Sequence, residues 1–123
     1  AEQAHLAAID PRDHGRALKN LAKTLSWAGE TEDAARAARR ALEILGDDAE
    51  CEFVLAELAT LRGETEEAIA RLERVTRLDP SWSKAHNNLG VERMRIGRAE
   101  AALLAYDEAL RHDPDHVAAR FNR

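Results

Sequence analysis

The chain has 123 residues, of which 45% are hydrophobic, 33% are charged and 4% are aromatic. This length suits one domain with a thin core, and its many alanine side chains suit closely packed helices. A net charge of −5 gives no electrostatic reason to expect nucleic acid as a partner. No stretch approaches the roughly 20 consecutive apolar residues of a membrane-spanning helix, so membrane insertion is not expected.

Cys51 is the single cysteine of the sequence. It cannot form an intramolecular disulfide, so the fold must be stable without one, as expected for a reducing, cytoplasmic compartment. We therefore expect Cys51 to be a small buried hydrophobic residue. The chain begins with Ala1 rather than Met, which favours a processed protein or a piece of a longer one.

The sequence repeats itself every 34 residues. Gly29, Gly63 and Gly97 follow one another at this spacing, each within a polar segment. Further columns hold a leucine, a small residue, an alanine, and a glycine or proline that suits a helix end. Their members are Leu21, Leu55 and Leu89; Ala22, Ala56 and Gly90; Ala34, Ala68 and Ala102; Gly46, Pro80 and Pro114.

The repeat divides the chain into units 15–48, 49–82 and 83–116, between the end of a preceding hairpin, 1–14, and the start of a further helix, 117–123. Apolar residues recur at helical spacing in both halves of each unit, which predicts a helix, a turn and a second helix. The glycine between the helices is expected to take a positive φ. Because one such hairpin cannot bury its own apolar face, the units must stack on one another.

The third unit resembles the tetratricopeptide repeat family most closely, at Leu89, Gly90, Gly97, Ala102, Tyr106, Ala109 and Pro114. It departs from the family pattern where His86 and Arg93 replace the usual aromatic residues. The resemblance implies an all-α fold, a right-handed superhelix of about three hairpins with partial flanking helices, in a single domain 1–123. It also implies a scaffold that binds a protein or peptide and catalyses no reaction.

In this family, the first helix of each unit forms the concave wall where a peptide usually binds. Asn20, Val54, Asn88 and Asn122 occupy one column of that wall. Spaced Asn amides can bond to the backbone of an extended peptide, although solvated or helix-capping asparagines would give the same column. The resemblance thus implies a candidate asparagine ladder.

The first unit also carries a cationic stripe, Arg16, Lys19 and Lys23, which suits an acidic side chain but equally fits a solvated helix face. The chaperone-tail clamp found in some family members fits poorly, because Lys23 stands where that clamp has Asn. Neighbouring columns of the same wall hold Ser26 and Thr60, and Trp27 and Leu61; we expect Trp27 and Trp82 to pack structurally. The residues expected to line the groove are Arg16, Lys19, Asn20, Lys23, Phe53, Glu57, Lys84, Asn87, Asn88, Val91, Met94, Arg95, Phe121 and Asn122.

No constellation of catalytic or metal-binding residues stands out in the sequence. His112 and His116 are separated by Pro114, which is expected to end the helix between them, and the remaining histidines are scattered. A glycine-rich phosphate loop is also absent. We therefore expect no enzyme activity, no metal and no cofactor.

Two alternatives to a peptide-binding scaffold remain. The chain could self-associate into a homo-oligomer through its convex side or its open ends, near Leu6, Ile9, Val117 or Phe121. It could also be the targeting arm of a larger enzyme. The pattern at both ends favours a piece of a longer array, or a domain whose ends a partner covers.

Overall fold

A computed structural model describes residues 10–123, and these residues form seven α-helices and no β-strand. The helices are α1 Pro11–Trp27, α2 Thr31–Leu45, α3 Ala49–Leu61, α4 Thr65–Leu78, α5 Ser83–Arg95, α6 Ala99–His112 and α7 Val117–Asn122. Helices α3, α5 and α7 begin 34 residues apart, as do α2, α4 and α6. The predicted all-α fold of repeated hairpins is confirmed.

Helix α1 begins earlier than the first predicted unit. The Asp10 side chain accepts a hydrogen bond of 2.9 Å from the Arg12 N–H, and Pro11 occupies the start of the helix. An N-cap aspartate followed by proline is a strong helix-start signal. Residues 11–14, which we assigned to the end of a preceding hairpin, therefore belong to α1. The rest of that segment, residues 1–9, lies outside the described residues.

The glycines between paired helices adopt the left-handed backbone that the repeat predicted. The φ angles of Gly29, Gly63 and Gly97 are 84°, 73° and 78°. Gly46, which ends α2, has a φ of 77°. Only glycine adopts this region without steric cost, so these residues fix the turns within the hairpins and the end of α2.

The hairpins α1/α2, α3/α4 and α5/α6 pack in sequence order, with α2 against α3 and α4 against α5. Small apolar side chains fill a first core between α1, α2 and α3, and larger ones fill a second between α3, α4, α5 and α6. The first contains Ala22, Ala34, Ala35, Ala37, Ala38, Val54, Leu55 and Leu58; the second contains Phe53, Ala56, Ile69, Leu72, Val75, Ala85, Leu89 and Ala105. Helix α3 contributes to both cores and joins the stack into one body.

Cys51 lies near the start of α3 and is fully buried, as expected. Burial raises the pKa of its thiol to about 12, and the nearby Asp48 carboxylate acts in the same direction. The thiol is thus protonated at neutral pH and serves as a packing group.

No helix within residues 10–123 is both long enough and apolar enough to cross a bilayer.

Candidate functional site

Two adjoining cavities run along the first helices of the hairpins, α1, α3 and α5. We call the two together the groove. The first cavity has a volume of about 300 Å³ and lies between α3 and α5, lined by Ser26, Ala56, Glu57, Thr60, Leu61, Leu72, Asn88, Val91, Glu92 and Arg95. The second has a volume of about 430 Å³ and is lined by Lys23, Ser26, Trp27, Glu50, Phe53, Val54, Glu57, Trp82 and Lys84. Ser26 and Glu57 line both cavities, which makes the groove continuous.

The first cavity combines apolar side chains with polar and charged ones. Ala56 on α3 and Leu72 on α4 are buried beneath it, and the half-buried Val91 on α5 lines its side. The half-buried Asn88 lies one turn before Val91 and lines the same cavity. An amide beside an apolar surface can bond to a peptide backbone while a side chain is buried next to it.

Glu92 is a charged residue only 2% exposed beneath the first cavity. The Thr60 hydroxyl donates to Glu92 Oε1 at 3.2 Å, and Arg95 Nε lies 3.4 Å from the same oxygen. A buried carboxylate needs such partners. These contacts hold Thr60 and the Arg95 guanidinium in place across the gap between α3 and α5.

Aromatic rings close one end of the second cavity. Phe53 stacks on Trp82 with ring centroids 4.5 Å apart, and Lys84 Nζ lies 5.5 Å from the Phe53 centroid. Lys84 Nζ is also 3.8 Å from Glu57 Oε2. Burial raises the pKa of Glu57, although Lys84 acts to lower it. The expectation that Trp82 packs structurally is confirmed.

Trp27 ends α1 at the other rim of the second cavity. Its side chain is 94% exposed, so the expectation that it packs structurally is wrong. The helix ends at this residue and the chain turns away at Gly29, which leaves the indole ring without a packing surface. A fully exposed tryptophan is a large apolar surface at the mouth of the groove.

The cationic stripe of α1 is neutralised within the chain. Lys19 Nζ lies 3.1 Å from Asp48 Oδ2 and 3.4 Å from Glu50 Oε1, and Lys23 also pairs with Glu50. Arg16 pairs with Asp13 at 3.1 Å. The hydrogen bond to Asp48 raises the pKa of Lys19, and the hydrogen bond from Lys23 lowers the pKa of Glu50. The stripe therefore does not present three uncompensated charges to a ligand.

The column of asparagines does not form a continuous ladder along the groove. Asn88 lines the first cavity, whereas the Asn122 amide donates to Asn87 Oδ1 at 3.1 Å. Asn20 is exposed on α1 outside both cavities, and Val54 is buried. Asn88 is thus the asparagine of this column that lines the groove, and Val54 of the same column contributes an apolar side chain to the second cavity.

The groove unites half of the residues predicted to line it. Those that line it are Lys23, Phe53, Glu57, Lys84, Asn88, Val91 and Arg95. Those that lie elsewhere are Arg16, Lys19, Asn20, Asn87, Met94, Phe121 and Asn122. Sequence reasoning missed Ala56, Leu72, Trp82 and Glu92. Glu92 follows Asn88 by one helical turn, a spacing that could have revealed it, whereas Leu72 lies on a second helix, outside the columns considered.

Sequence comparison identifies the family of the chain. A tetratricopeptide repeat profile matches residues 27–89, and a second tetratricopeptide repeat profile matches residues 83–116. The first match alone covers more than half of the sequence. The chain belongs to the tetratricopeptide repeat family. Among curated proteins, no significant match is found.

Solved structures with the same fold include MamA, at 24% identity and a TM-score of 0.83, with 98% of this chain and 69% of that one covered. YrrB, described as a tetratricopeptide repeat protein with an unusual peptide-binding site, has 28% identity and a TM-score of 0.76 over 98% of this chain and 60% of its own. A mutant O-GlcNAc transferase of Thermobaculum terrenum has 28% identity and a TM-score of 0.82, over 91% of this chain and 22% of its own. The chain therefore spans only part of each of these proteins, and all share its right-handed superhelix of helical hairpins.

Proposed function

We propose that the chain is a non-catalytic interaction scaffold whose groove binds an extended peptide, with one apolar side chain of that peptide seated in the first cavity. The first cavity carries the proposal: it has a volume of about 300 Å³, and apolar side chains line it together with polar groups that can orient a ligand. The exposed Leu61 and the half-buried Val91 supply the apolar contacts, above the buried Ala56 and Leu72. The helices that frame it, α3 and α5, are held by both their hairpin partners and the core.

Asn88 and Trp27 give the groove two further means of recognition. The Asn88 amide can donate to and accept from the backbone of a peptide whose side chain enters the first cavity. Trp27, at the rim of the second cavity, offers an exposed aromatic surface of the kind that often dominates binding energy. Backbone bonding supplies affinity independent of sequence, and the cavity supplies the preference for an apolar residue.

The charges along the groove balance, which favours a peptide without strong net charge. Three carboxylates line it, those of Glu50, Glu57 and Glu92. Three cations face them, Lys23, Lys84 and Arg95, and each lies within ion-pair distance of one of the carboxylates. Apolar burial rather than electrostatic attraction then selects the ligand, in contrast to the acidic peptide that the stripe on α1 suggested.

The likeness to YrrB, whose description names a peptide-binding site, supports a peptide as the ligand class. MamA, at 24% identity, supports the fold alone. The O-GlcNAc transferase carries this fold within a longer chain whose description names an enzyme. The proposed non-catalytic function therefore concerns these 123 residues only.

The proposal is tested with linear peptides selected on the wild-type chain from a displayed random library. Val91→Gln places an amide on the apolar wall of the first cavity, and it should weaken the affinity of a selected peptide at least about tenfold in calorimetric titration. Asn88→Ala should cost about 1 kcal/mol of binding free energy through the lost hydrogen bonds.

Val117→Gln is the matched control, since Val117 is 78% exposed on α7 and outside the groove. It should leave the affinity unchanged. Failure to enrich any peptide, or equal affinities for Val91→Gln and wild type, would remove the groove from consideration.

Self-association is the competing function, and exposed apolar side chains at the C-terminal end favour it. Leu104 on α6 and Val117 and Phe121 on α7 are 66%, 78% and 89% exposed. Sedimentation across a range of concentrations separates the two functions. A monomer at every concentration agrees with the groove, whereas an oligomer that Phe121→Ser dissociates would make self-association the function.

A further inference from the structure

Three side chains with metal-binding chemistry meet on the third hairpin, at the surface shared by α5 and α6. His86 on α5 joins Glu108 and His112 on α6, and one ligand atom from each lies within 4.8 Å of the others. His86 is buried, while Glu108 and His112 lie nearer to solvent. The expectation that His86 lies apart from the other histidines is therefore wrong.

The His86 ring is fixed by the backbone. Its Nε2 lies 2.7 Å from the carbonyl oxygen of Pro80, which can only accept a hydrogen bond. In the neutral ring Nε2 thus carries the proton, and Nδ1 keeps the lone pair that a metal needs. Metal-binding histidines characteristically donate their other ring nitrogen to a carbonyl or carboxylate in this way.

The other two ligands are already adjacent. Glu108 and His112 are four residues apart on one face of α6, with His112 Nε2 3.5 Å from Glu108 Oε2. The His86 and His112 rings lie nearly parallel, 14° apart in tilt, with centroids separated by 5.8 Å.

We propose that His86, Glu108 and His112 bind a divalent transition-metal ion of the zinc class. Two imidazoles and one carboxylate are a zinc ligand set, and imidazole also suits copper and nickel. A tetrahedral zinc with bonds of about 2.1 Å holds its ligand atoms about 3.4 Å apart. The stacked imidazole rings must therefore turn so that their lone pairs converge on the ion, and the ligand atoms must close from separations of up to 4.8 Å. The exposed side of Glu108 leaves the fourth position to water or to a partner's ligand.

Arg111 would compete with a metal ion for the Glu108 carboxylate. It pairs with Glu108 Oε2 at 2.8 Å, and its side chain is 68% exposed. Exposed ion pairs of this kind contribute little free energy, so a metal ion displaces the guanidinium at small cost. A bound ion would link α5 to α6 and stabilise the third hairpin against local opening.

The test is a zinc titration of the full untagged chain in competition with a chromogenic chelator, together with thermal melting with and without zinc. Wild type should bind one ion per chain and melt at a higher temperature with zinc. His112→Ala should weaken zinc binding at least about tenfold and abolish the thermal shift. His14→Ala, which removes an exposed histidine of α1, should behave as wild type.

His86→Gln provides a second variant, because its amide keeps a donor near the Pro80 carbonyl but presents no imidazole. It too should lose tight zinc binding. Cobalt loaded in place of zinc should give wild type the intense visible absorption of a four-coordinate ion, absent in His112→Ala. Equal zinc affinities for wild type and His112→Ala, or a thermal shift that persists in that variant, would overturn the proposal.

Discussion

Gly90→Ala is expected to lower the free energy of unfolding by about 2 kcal/mol, because the loss from overpacking exceeds alanine's gain in helix propensity. A Cβ at this position would lie 2.3 Å from Tyr106 Cε1, and two further ring atoms would lie within 2.8 Å. Tyr106 is buried on α6, so its rigid ring cannot swing aside without disturbing the core. Urea denaturation followed by circular dichroism measures the loss.

The neighbouring repeats suggest how to restore this stability. The equivalent pair in the second unit is Ala56 with Leu72. Alanine there replaces the smaller glycine, and leucine replaces the larger tyrosine. Gly90→Ala combined with Tyr106→Leu copies that pair onto the third unit. The double variant should lose less unfolding free energy than the two single variants lose together. A double-mutant cycle would report this difference as a favourable coupling free energy.

Gly15→Ala serves as the control for this prediction. Its Cβ would lie 2.8 Å from Leu45 Cγ and 2.9 Å from Ile44 Cγ2, so it overpacks too, but against partly exposed aliphatic side chains and not a buried ring. The loss of stability should therefore be smaller than for Gly90→Ala. If Gly90→Ala unfolds at the same urea concentration as wild type, close packing of Tyr106 on the glycine is not what fixes the third hairpin.

Arg71→Ala is expected to lower the free energy of unfolding by about 3 kcal/mol, because it strands a buried carboxylate. The Glu52 side chain on α3 is only 7% exposed, and Arg71 Nη1 on α4 lies 2.9 Å from its Oε2. Arg71 Nε also bonds to Glu67 at 2.8 Å. The remaining neighbour of Glu52, Arg74 Nη1, is 3.8 Å away and half-exposed, too far to replace a hydrogen bond.

Here the first repeat provides the compensating change, since it carries Leu18 and Ala37 where the second carries Glu52 and Arg71. Glu52→Leu combined with Arg71→Ala removes both charges, and it should recover most of the loss. Arg74→Ala is the control and should cost less than about 1 kcal/mol. A loss for Arg71→Ala no larger than that for Arg74→Ala would mean that water, rather than Arg71, satisfies the Glu52 carboxylate.

The periodicity of the sequence predicted the fold because glycine positions and helix phase are local properties. Positive φ angles at Gly29, Gly63 and Gly97 follow from one column of residues. The repeat did not predict the start of α1, because Asp10 and Pro11 lie outside the repeating pattern. Only their capping chemistry marks the N-terminus of this helix. A capping signal that occurs once in the chain is not found by aligning its repeats.

The candidate site was predicted less completely, because its charges depend on how hairpins stack. Residue columns assigned Glu57, Asn88 and Val91 to one wall, and these three residues line the first cavity. They gave no sign that Asp48 and Glu50, at the start of α3, would reach Lys19 and Lys23 on α1. Such contacts arise from the three-dimensional offset between neighbouring hairpins.

The sequence did not predict the cluster of His86 and His112, because this cluster also depends on how helices pack in three dimensions. These residues are 26 apart in sequence, so they occupy different columns of the repeat. They meet because α5 and α6 are the two arms of one hairpin. Pairing the positions that face each other within a hairpin, in addition to aligning repeats, would have brought the two histidines together.

The most direct test of a peptide-binding groove is an amide chemical-shift map of the isotope-labelled chain, titrated with a selected linear peptide. Peptide seated between α3 and α5 should shift the amides of Asn88, Val91 and Arg95 most, with Trp27 following, and leave α7 unchanged. Shifts concentrated at Val117 and Phe121, or spread over the second helices α2, α4 and α6, would contradict binding in the groove.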